Sequence, residues 1–229
     1  MPCLVVIPAL NVAATIGPLV SQIRQQGHEV LVIDDGSSDA TGATAAAAGA
    51  RVLHHVTTRG KGASLRTGFA EALRRQAECV VTFDADGQHD PADIPRLVQY
   101  AVEHPEASVI IGNRMGQAQR MPRVRRWTNR LMSWLLSRLA GQHVPDTQCG
   151  LRLMRTALLR HLTLTTSHYE IESELVLAAA RAGAAMHPIS IQPIYGSSPS
   201  GIRPALDTVR FIRLVLRFVC ARSTPSAHR

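Results

Sequence analysis

The first half of the chain alternates short apolar runs, rich in β-branched residues, with longer stretches of helical periodicity. Runs of strand length that are apolar throughout are typical of strands buried on both faces of a parallel sheet, with helices covering those faces. The predicted strands cover 4–7, 30–33, 52–53, 80–83 and 109–111, and the predicted helices 13–26, 41–48, 62–76 and 93–103. This alternation predicts an α/β fold.

The second half is less regular but extends the same domain. Helices are predicted over 122–140, 169–182 and about 206–221, strands over 150–154 and 189–194, and a Gly-, Ser- and Pro-rich loop over 195–204. A chain of 229 residues is long enough to bury one core. We therefore expect one domain over 1–205, followed at 206–229 by a basic amphipathic helix and a tail.

The formal net charge is +8, and every basic residue except Lys61 is an arginine. Guanidinium groups bind phosphate in a bidentate manner, so nucleic acid, anionic lipid and nucleotide substrates are all compatible with this charge. A GC-rich coding bias would also explain the abundance of arginine and alanine.

The four cysteines (Cys3, Cys79, Cys149 and Cys220) are widely separated and show no zinc-ligand spacing. We find neither a signal peptide nor a run of about 18 apolar residues that would predict a transmembrane helix. These features favour a cytoplasmic protein with reduced thiols.

Polar segments follow the predicted strands where each strand ends. Residues 8–11 follow the first strand, 34–39 the second, 84–91 the fourth and 112–114 the fifth. Ligands of parallel sheets bind at the carboxyl ends of the strands. With only 17 carboxylates in a basic chain, their crowding at one edge predicts a functional site there.

Asp84, Asp86 and Gln88 alternate along the chain and would project to one side of an extended segment. Two carboxylates and an amide oxygen are hard ligands suited to Mg²⁺ or Mn²⁺. A solvated turn is the plain alternative, since Asp-Gly and Asp-Pro are common in turns. The position after a buried strand favours the metal site.

Two further segments have both a structural and a functional interpretation. Asp35 would face a nucleotide, while Ser38 or Asp39 would cap the helix that begins near Thr41. The segment 59–62 is no Walker A motif, but a basic turn at the start of a helix suits an anion.

With these segments in order, the chain resembles the family-2 glycosyltransferases of GT-A fold, and more narrowly the polyprenyl-phosphate sugar transferases related to dolichol-phosphate mannose synthase. The matching segments run from residue 5 to about residue 174 in the family's order. They are IPALN, VIDDGSSDAT, GKGASLRTG, TFDADGQHDP, IGNR, DTQCGLRLM and YEIESE. The resemblance implies a mostly parallel, Rossmann-like sheet with helices on both faces in a single domain.

The resemblance also implies roles for individual residues. A nucleotide-sugar donor would be bound by Pro8, Asn11, Asp35, Lys61 and Asp84. Asp84, Asp86 and Gln88 would hold a divalent metal, Mg²⁺ or Mn²⁺, on the donor diphosphate. An acceptor phosphate would be received by Arg114, Arg126, Arg130 and Arg152. Asp84, Asp86 and Asp146 would be catalytic. Asp146, Gln148 and Arg152 would close the site from its far side. A buried Asp–Arg pair is also compatible with a purely structural role.

The implied reaction is inverting transfer of a sugar from a nucleoside-diphosphate sugar to a polyprenyl phosphate. A soluble glycan, a small metabolite or diacylglycerol is the alternative acceptor. Val12 and Arg59 replace a glutamate and an asparagine frequent in relatives on the donor side, so the base of the donor stays open. Gly201 replaces a histidine frequent in close relatives, a departure within the Gly-, Ser- and Pro-rich loop.

Two other classes of function fit less well. A sugar-phosphate nucleotidyltransferase would need a Gly- and Arg-rich loop after the first strand, which 8–11 does not supply. A nucleic-acid-binding module agrees with a pI near 10.3 but leaves the acidic strand ends unexplained, so nucleic acid is not an expected partner.

Two predicted amphipathic helices have the composition of a membrane surface. In 122–140, Trp127 and Trp134 share a face with Arg123, Arg126 and Arg130, and Arg210, Arg213 and Arg217 recur along the last helix. Such helices also commonly just cover a core. We expect a cytoplasmic protein in peripheral contact with the inner face of the membrane.

Overall fold

A computed structural model describes residues 3–194 and 204–223 and contains one seven-stranded sheet flanked by helices. The strands are β1 (Cys3–Ala9), β2 (Glu29–Asp34), β3 (Arg51–His54), β4 (Cys79–Thr82), β5 (Ala107–Asn113), β6 (Arg152–Arg155) and β7 (Ala185–Ser190). The helices are α1 (Ala13–Gln25), α2 (Thr41–Ala47), α3 (Lys61–Arg74), α4 (Asp93–Glu103), α5 (Arg123–Ala140), α6 (Thr156–Leu159), α7 (Ile171–Arg181) and α8 (Pro204–Ser223), with a 3-10 helix at Met115–Arg120. The predicted α/β fold is confirmed.

The sheet has the order β3-β2-β1-β4-β6-β5-β7, and every neighbouring pair that excludes β6 is parallel. Val5, Val6 and Ile7 of β1 are fully buried, as expected for a strand near the middle of a sheet covered on both faces. The nine elements predicted in the first half are confirmed, with ends that differ by a few residues.

Strand β6 is antiparallel to both of its neighbours, β4 and β5. Arg152, at the start of β6, pairs with Thr82 at the end of β4 and with Ile111 near the end of β5. The N-terminal end of β6 therefore lies at the edge where its neighbours have their carboxyl ends. This reversal brings residues 146–150 to the same edge as Asp84.

The strand predicted over 189–194 was wrong in position, because β7 spans Ala185–Ser190. Pro188 lies within β7, and a proline is tolerated there because β7 is an edge strand with one side unpaired. Residues 195–203 of the predicted loop lie outside the described residues.

The expectation of reduced thiols was wrong for two of the four cysteines. Cys3 and Cys79 form a disulfide, whereas Cys149 is a buried free thiol and Cys220 an exposed one. The two partners are 76 residues apart in sequence, but the parallel pairing of β1 with β4 sets them opposite each other with their Cα atoms 5.1 Å apart. Only the strand pairing reveals this proximity.

Helix α8 packs against α7 with one side. Phe211 and Phe218 are buried in the core, and the Arg181 guanidinium lies 4.0 Å from the centre of the Phe218 ring. Within residues 3–194 and 204–223, we find no helix both long enough and apolar enough to span a bilayer.

Candidate active site

The candidate site lies at the edge formed by the carboxyl ends of the parallel strands. Asp84 follows β4, Arg114 follows β5, and Asp146 lies in the segment that leads into the antiparallel β6. The structure therefore brings together residues that are more than 60 positions apart in sequence, as the strand-end rule predicts.

Asp84 lies in a buried cluster of charged groups. Its Oδ1 is 2.7 Å from the Nζ of Lys61, which is also 2.5 Å from Oε1 of Glu172 at the start of α7. Nε2 of His89 lies 4.0 Å from the other carboxylate oxygen of Asp84. Lys61 thus links two carboxylates that come from opposite halves of the chain.

These contacts set the protonation of the cluster. Burial would lower the pKa of Lys61, but the carboxylates of Asp84 and Glu172 outweigh it and raise the pKa above its ordinary value. Burial would raise the pKa of Asp84, but Lys61 and then His89 hold it below the usual range. Burial lowers the pKa of His89 to about 4, so its ring is neutral near pH 7.

A glycine makes room for Asp84. A Cβ atom on Gly150 would overlap the carboxylate of Asp84, and the carbonyl of Gly150 accepts a 2.6 Å hydrogen bond from the hydroxyl of Thr82. The glycine of the DTQCG segment therefore lets the start of β6 approach the acidic turn closely.

Asp86 lies in a turn that Gln88 follows, so the segment does not have the extended geometry that would project the three side chains to one side. The Gln88 amide donates to Oδ1 of Asp86 at 2.9 Å, and Gly87 takes a positive φ of 73°. The side-chain oxygen of Gln88 accepts a hydrogen bond from Arg125 of α5 at 3.1 Å.

The donor atoms of this turn fit a hard divalent cation. Burial first, and then the negative charge of Asp84, raise the pKa of Asp86. The two carboxylates therefore lie close enough to repel each other, and a divalent cation between them would relieve that repulsion. The amide oxygen of Gln88 retains a second lone pair beyond its bond from Arg125.

Asp35 holds a loop and does not point into open space. Its carboxylate accepts from the backbone amides of Arg59 and Gly60 at 3.0 and 2.7 Å and lies 2.6 Å from Nδ1 of His55, and the residue is only 4% exposed. These contacts fix the turn that delivers Lys61 to Asp84. The contact of Asp35 with a nucleotide stays a prediction.

The start of α3 is covered by the segment 165–168. A Cβ atom on Gly62 would lie 2.7 Å from the carbonyl oxygen of Thr166, and the amide of Ala63 donates to the carbonyl of Ser167 at 3.2 Å. The helix start therefore packs against protein, which differs from the expected anion site at this turn.

The loops after β1 and β2 are joined by hydrogen bonds. Asn11, at φ 53°, accepts from the amide of Ser38 at 2.8 Å. Asp39 accepts from the amides of Thr41 at 2.9 Å and Ala13 at 3.1 Å, so its carboxylate joins the starts of α2 and α1. The N-cap residues of these helices are Val12 and Ala40, so Asp39 joins the two helix starts without occupying the N-cap position predicted for it. Pro8, near the end of β1, is opposite Ile33 at the base of these loops.

Arg114 and Asp146 form a bidentate buried pair. Nε and Nη2 of Arg114 lie 2.7 and 2.9 Å from the two oxygens of Asp146, which also accepts from the Arg114 amide and from Asn129 of α5. Burial would lower the pKa of Arg114, but nearby charges that include Asp146 outweigh burial and raise it. Burial would raise the pKa of Asp146, but nearby charges that include Arg114 outweigh burial and lower it. Asp146 is fully buried and holds Arg114 in place, and its catalytic role stays a prediction.

Arg152 is also committed to the interior of the protein. Its three guanidinium nitrogens donate to the carbonyls of Cys149, Glu172 and Thr147 at 2.7 to 2.8 Å, and it is 1% exposed. These bonds fix the segment before β6 and occupy each guanidinium nitrogen, and contact of Arg152 with an acceptor phosphate stays a prediction. Gln148 donates to the hydroxyl of Ser173 at 3.1 Å and joins this segment to α7.

The two remaining predicted arginines lie on α5. Arg126 is partly buried, and its Nε has no hydrogen-bond partner. Arg130 is exposed and lines a groove of about 630 Å³ together with Met115 and Trp134. Met115 is the neighbour of Arg114 in sequence, so this groove begins beside the Arg114–Asp146 pair.

Several site residues were missed by the interpretation of the sequence. Glu172 and His89 lie within motifs that were recognised, but their contacts with the Lys61–Asp84 pair depend on tertiary packing. Asn129 and Arg125 appeared only as parts of an amphipathic helix. Both residues are polar and lie on the face of α5 that also carries the buried Leu136. Polar residues on a buried helix face could have indicated that these two belong to the site.

Sequence comparison agrees with this geometry. The profile of glycosyl transferase family 2 matches residues 4–163, which include β1 to β6. The chain belongs to glycosyl transferase family 2. This glycosyltransferase is 31% identical over 199 residues to the undecaprenyl-phosphate mannosyltransferase of Micrococcus luteus, covering 80% of this chain and 79% of that protein. It is 27% identical over 213 residues to the UDP-N-acetylglucosamine–dolichyl-phosphate N-acetylglucosaminyltransferase of Methanococcus voltae, covering 83% and 84% of the two chains.

Solved structures share the fold. Glucosyl-3-phosphoglycerate synthase of Mycobacterium tuberculosis, in a complex with Mn²⁺, UDP and phosphoglyceric acid, superposes with a TM-score of 0.74 at 24% identity. The match covers 99% of this chain and 80% of that protein. The likeness establishes the GT-A fold for this family-2 enzyme.

Proposed function

We propose that the enzyme transfers a sugar from a nucleoside-diphosphate sugar to a polyprenyl phosphate with inversion at the anomeric carbon. The observation that carries this proposal is the presence of two phosphate-suited groups at one sheet edge. The acidic turn at Asp84 and Asp86 suits a cation on a diphosphate, and Arg114 suits a phosphate monoester. The two relatives whose names include undecaprenyl phosphate and dolichyl phosphate support the same acceptor class.

The donor half would use the acidic turn. Asp84, Asp86 and the amide oxygen of Gln88 would hold Mg²⁺ or Mn²⁺, which stabilises the negative charge of a departing diphosphate when it is bound. Lys61 would keep Asp84 ionised and in place through its 2.7 Å contact. Pro8 and Asn11 would line the pocket for the nucleoside on the loops after β1 and β2.

The acceptor half would use Arg114. Its Nε and Nη2 are held by Asp146, which leaves the Nη1 edge of the guanidinium outside that pair. A phosphate monoester would approach this edge, with Arg126 and Arg130 of α5 attracting it from the side of the groove. The phosphate oxygen is already ionised near neutral pH, so it attacks the sugar carbon without a strong general base. Alignment of the two phosphates then supplies most of the catalysis.

A lipid acceptor requires contact with a membrane, and α5 offers a suitable surface. The α5 stripe (Val124, Trp127, Leu131 and Trp134) is 63–80% exposed. These positions follow the i, i+3, i+7 spacing of one helix face, and arginines flank them. Tryptophan and arginine together favour the headgroup region of a bilayer, where the acceptor phosphate lies.

An acceptor assay tests the proposal. Purified enzyme with Mn²⁺ and a panel of labelled nucleotide sugars is given undecaprenyl phosphate, dolichyl phosphate, phosphoglyceric acid, a soluble glycan or diacylglycerol. We expect organic-soluble product with the polyprenyl phosphates alone, from one donor. Product from diacylglycerol or a soluble acceptor, but from neither polyprenyl phosphate, would overturn the assignment of the acceptor while leaving the donor half intact.

Flotation with vesicles tests the surface. We expect the enzyme to float with vesicles that contain phosphatidylglycerol and to lose most of this binding on combined Trp127→Ser and Trp134→Ser substitution. Val102→Ser, at a 61% exposed site on α4, is the matched control. Equal flotation of the double variant and the control would show that the α5 stripe does not bind the membrane.

A further inference from the structure

Two histidines and a glutamate converge at the edge of the sheet opposite to Asp84. His104 follows α4, Glu106 lies in the turn before β5, and His187 lies on β7. One ligand atom from each side chain lies within 4.8 Å of the other two. This cluster is at the start of β5, whose other end leads to Arg114, so about 20 Å of strand separates it from the candidate active site.

The backbone that carries two of these residues is fixed from the interior. Arg155 of β6 donates hydrogen bonds to the carbonyl oxygens of Ala101 at 2.6 Å, Ala107 at 3.0 Å and His104 at 3.5 Å. The partly buried guanidinium of Arg155 thereby holds the turn between α4 and β5 in place. Ligands on such a turn lose little backbone freedom when they bind an ion.

The imidazole rings are also oriented by Tyr100. Its ring stacks on that of His104 with 4.1 Å between centroids, and its hydroxyl lies 3.1 Å from Nδ1 of His187. In the tautomer whose Nδ1–H donates to this hydroxyl, the Nε2 lone pair of His187 is available to a metal. Glu106 lies 3.2 Å from Nδ1 of His104, and its own backbone amide is the main reason that its pKa is lowered.

We propose that His104, Glu106 and His187 bind one divalent transition-metal ion, with Zn²⁺ as the best chemical match. Two imidazoles and a carboxylate are a ligand set for Zn²⁺ and differ from the all-oxygen set of the acidic turn. Bonds of about 2.0–2.1 Å place tetrahedral ligand atoms roughly 3.4 Å apart. Side-chain rotations that move each ligand atom by about an ångström would bring the three atoms from their present spacing to this distance. The three side chains are exposed enough to make these rotations.

The ion would join the end of α4 to the edge strand β7. It would therefore stabilise the fold and would take no part in sugar transfer, which occurs at the other edge. The proposal is independent of the proposed function, because its measurements require neither donor nor acceptor.

Zinc titration of protein without an affinity tag tests the proposal. The parent for this experiment carries Asp84→Asn and Asp86→Asn, so that the acidic turn contributes no metal binding. Calorimetry with Zn²⁺ alone should give one ion per chain with micromolar or tighter affinity, and saturation should raise the melting temperature by several degrees. Excess Mg²⁺ should not displace the ion.

Three single substitutions assign the ligands. His187→Gln, His104→Gln and Glu106→Gln should each weaken Zn²⁺ binding at least tenfold and abolish the rise in melting temperature. His161→Gln, at an exposed histidine outside the cluster, should change neither quantity. Glu106 is exposed, so its substitution keeps the test valid if a histidine variant folds poorly.

The proposal fails if the parent takes up no Zn²⁺, if the glutamine variants bind it as tightly as the parent does, or if Mg²⁺ competes at equal concentration. Each of these results excludes a nitrogen-rich site at this turn. None of them bears on sugar transfer, so a failure here is distinguishable from a failure of the proposed function.

Discussion

The two buried pairs of the candidate site, Lys61 with Asp84 and Arg114 with Asp146, differ in how completely their charges are matched. Lys61 shares its ammonium between Asp84 and Glu172, and the second oxygen of Asp84 lies 4.0 Å from Nε2 of His89 and beside Gly150. Both oxygens of Asp146, by contrast, accept hydrogen bonds from Arg114, and Asn129 adds another. The carboxylate of the first pair therefore retains an oxygen without a close hydrogen-bond donor in these contacts, whereas both oxygens of the Asp146 carboxylate are occupied.

The largest expected effect is on transfer when Asp84 is changed to alanine. We expect a loss of at least 1000-fold in the rate, on the order of 4 kcal/mol of transition-state stabilisation. Lys61 retains Glu172 as a partner, so the far-UV circular dichroism should stay that of the parent.

Asp86→Ala should have the same effect, and Asp90→Asn, in the same acidic segment, is the control that should remain active. Full transfer by either alanine variant with Mn²⁺ supplied would rule out the acidic turn as the donor site.

The second prediction concerns stability and Asp146. Changing it to alanine leaves the Arg114 guanidinium buried without its partner, a loss expected to cost roughly 3–5 kcal/mol. Urea unfolding of the two alanine variants compares the pairs directly, and Asp146→Ala should lower the midpoint far more than Asp84→Ala. Equal midpoints would contradict the distinction between a saturated pair and one that shares its cation.

The third prediction concerns pH and His89, beside Asp84. The folded chain holds the pKa of His89 at about 4, whereas the unfolded chain has an ordinary value near 6.5. The unfolded state therefore binds an additional proton between these values, so stability falls as the pH drops through this window, by roughly 3 kcal/mol in total.

His89→Gln should flatten this slope between pH 6.5 and 4 in urea titrations. Substitution of the exposed His143 should leave this slope in place. A slope unchanged in the His89 variant would show that other groups cause it.

The smallest expected effect is that of Gly150→Ala, which adds one methyl group. Its Cβ would displace the Asp84 carboxylate, and we expect transfer to fall about tenfold, or ~1.4 kcal/mol, with little change in melting temperature. Gly116→Ala is the matched control, because the nearest atom to its Cβ would be Ser190 Oγ at 3.6 Å, an ordinary contact. Equal activity of the two variants would contradict the close packing of Gly150 on Asp84.

The sequence predicted the parallel half of the fold well, because the spacing of apolar residues and the local composition are properties of each segment by itself. β1, β2 and β4 each contain a continuous apolar run, and the helices between them have regular periodicity. The order of the sheet is not local. Neither the antiparallel insertion of β6 nor the Cys3–Cys79 disulfide has a signal in the residues that form it.

The candidate site shows the same division. The acidic turn was recognisable because two carboxylates and an amide follow a strand directly. The direction of a side chain was not recognisable, and Arg152 and Asp35 illustrate this. Both carry the charge expected of a phosphate- or nucleotide-binding residue, but carbonyls and amides of the chain itself occupy their polar atoms.

The antiparallel β6 separates two groups of parallel strands. The group β3-β2-β1-β4 leads into the acidic turn, and the group β5-β7 leads into Arg114. The proposed donor and acceptor phosphates would lie on opposite sides of β6. A small sliding of β5 and β7 relative to β1 and β4 would change the distance between leaving group and nucleophile without disturbing either half. The registers of β6 with Thr82 and Ile111 would therefore set the distance between the two proposed phosphates.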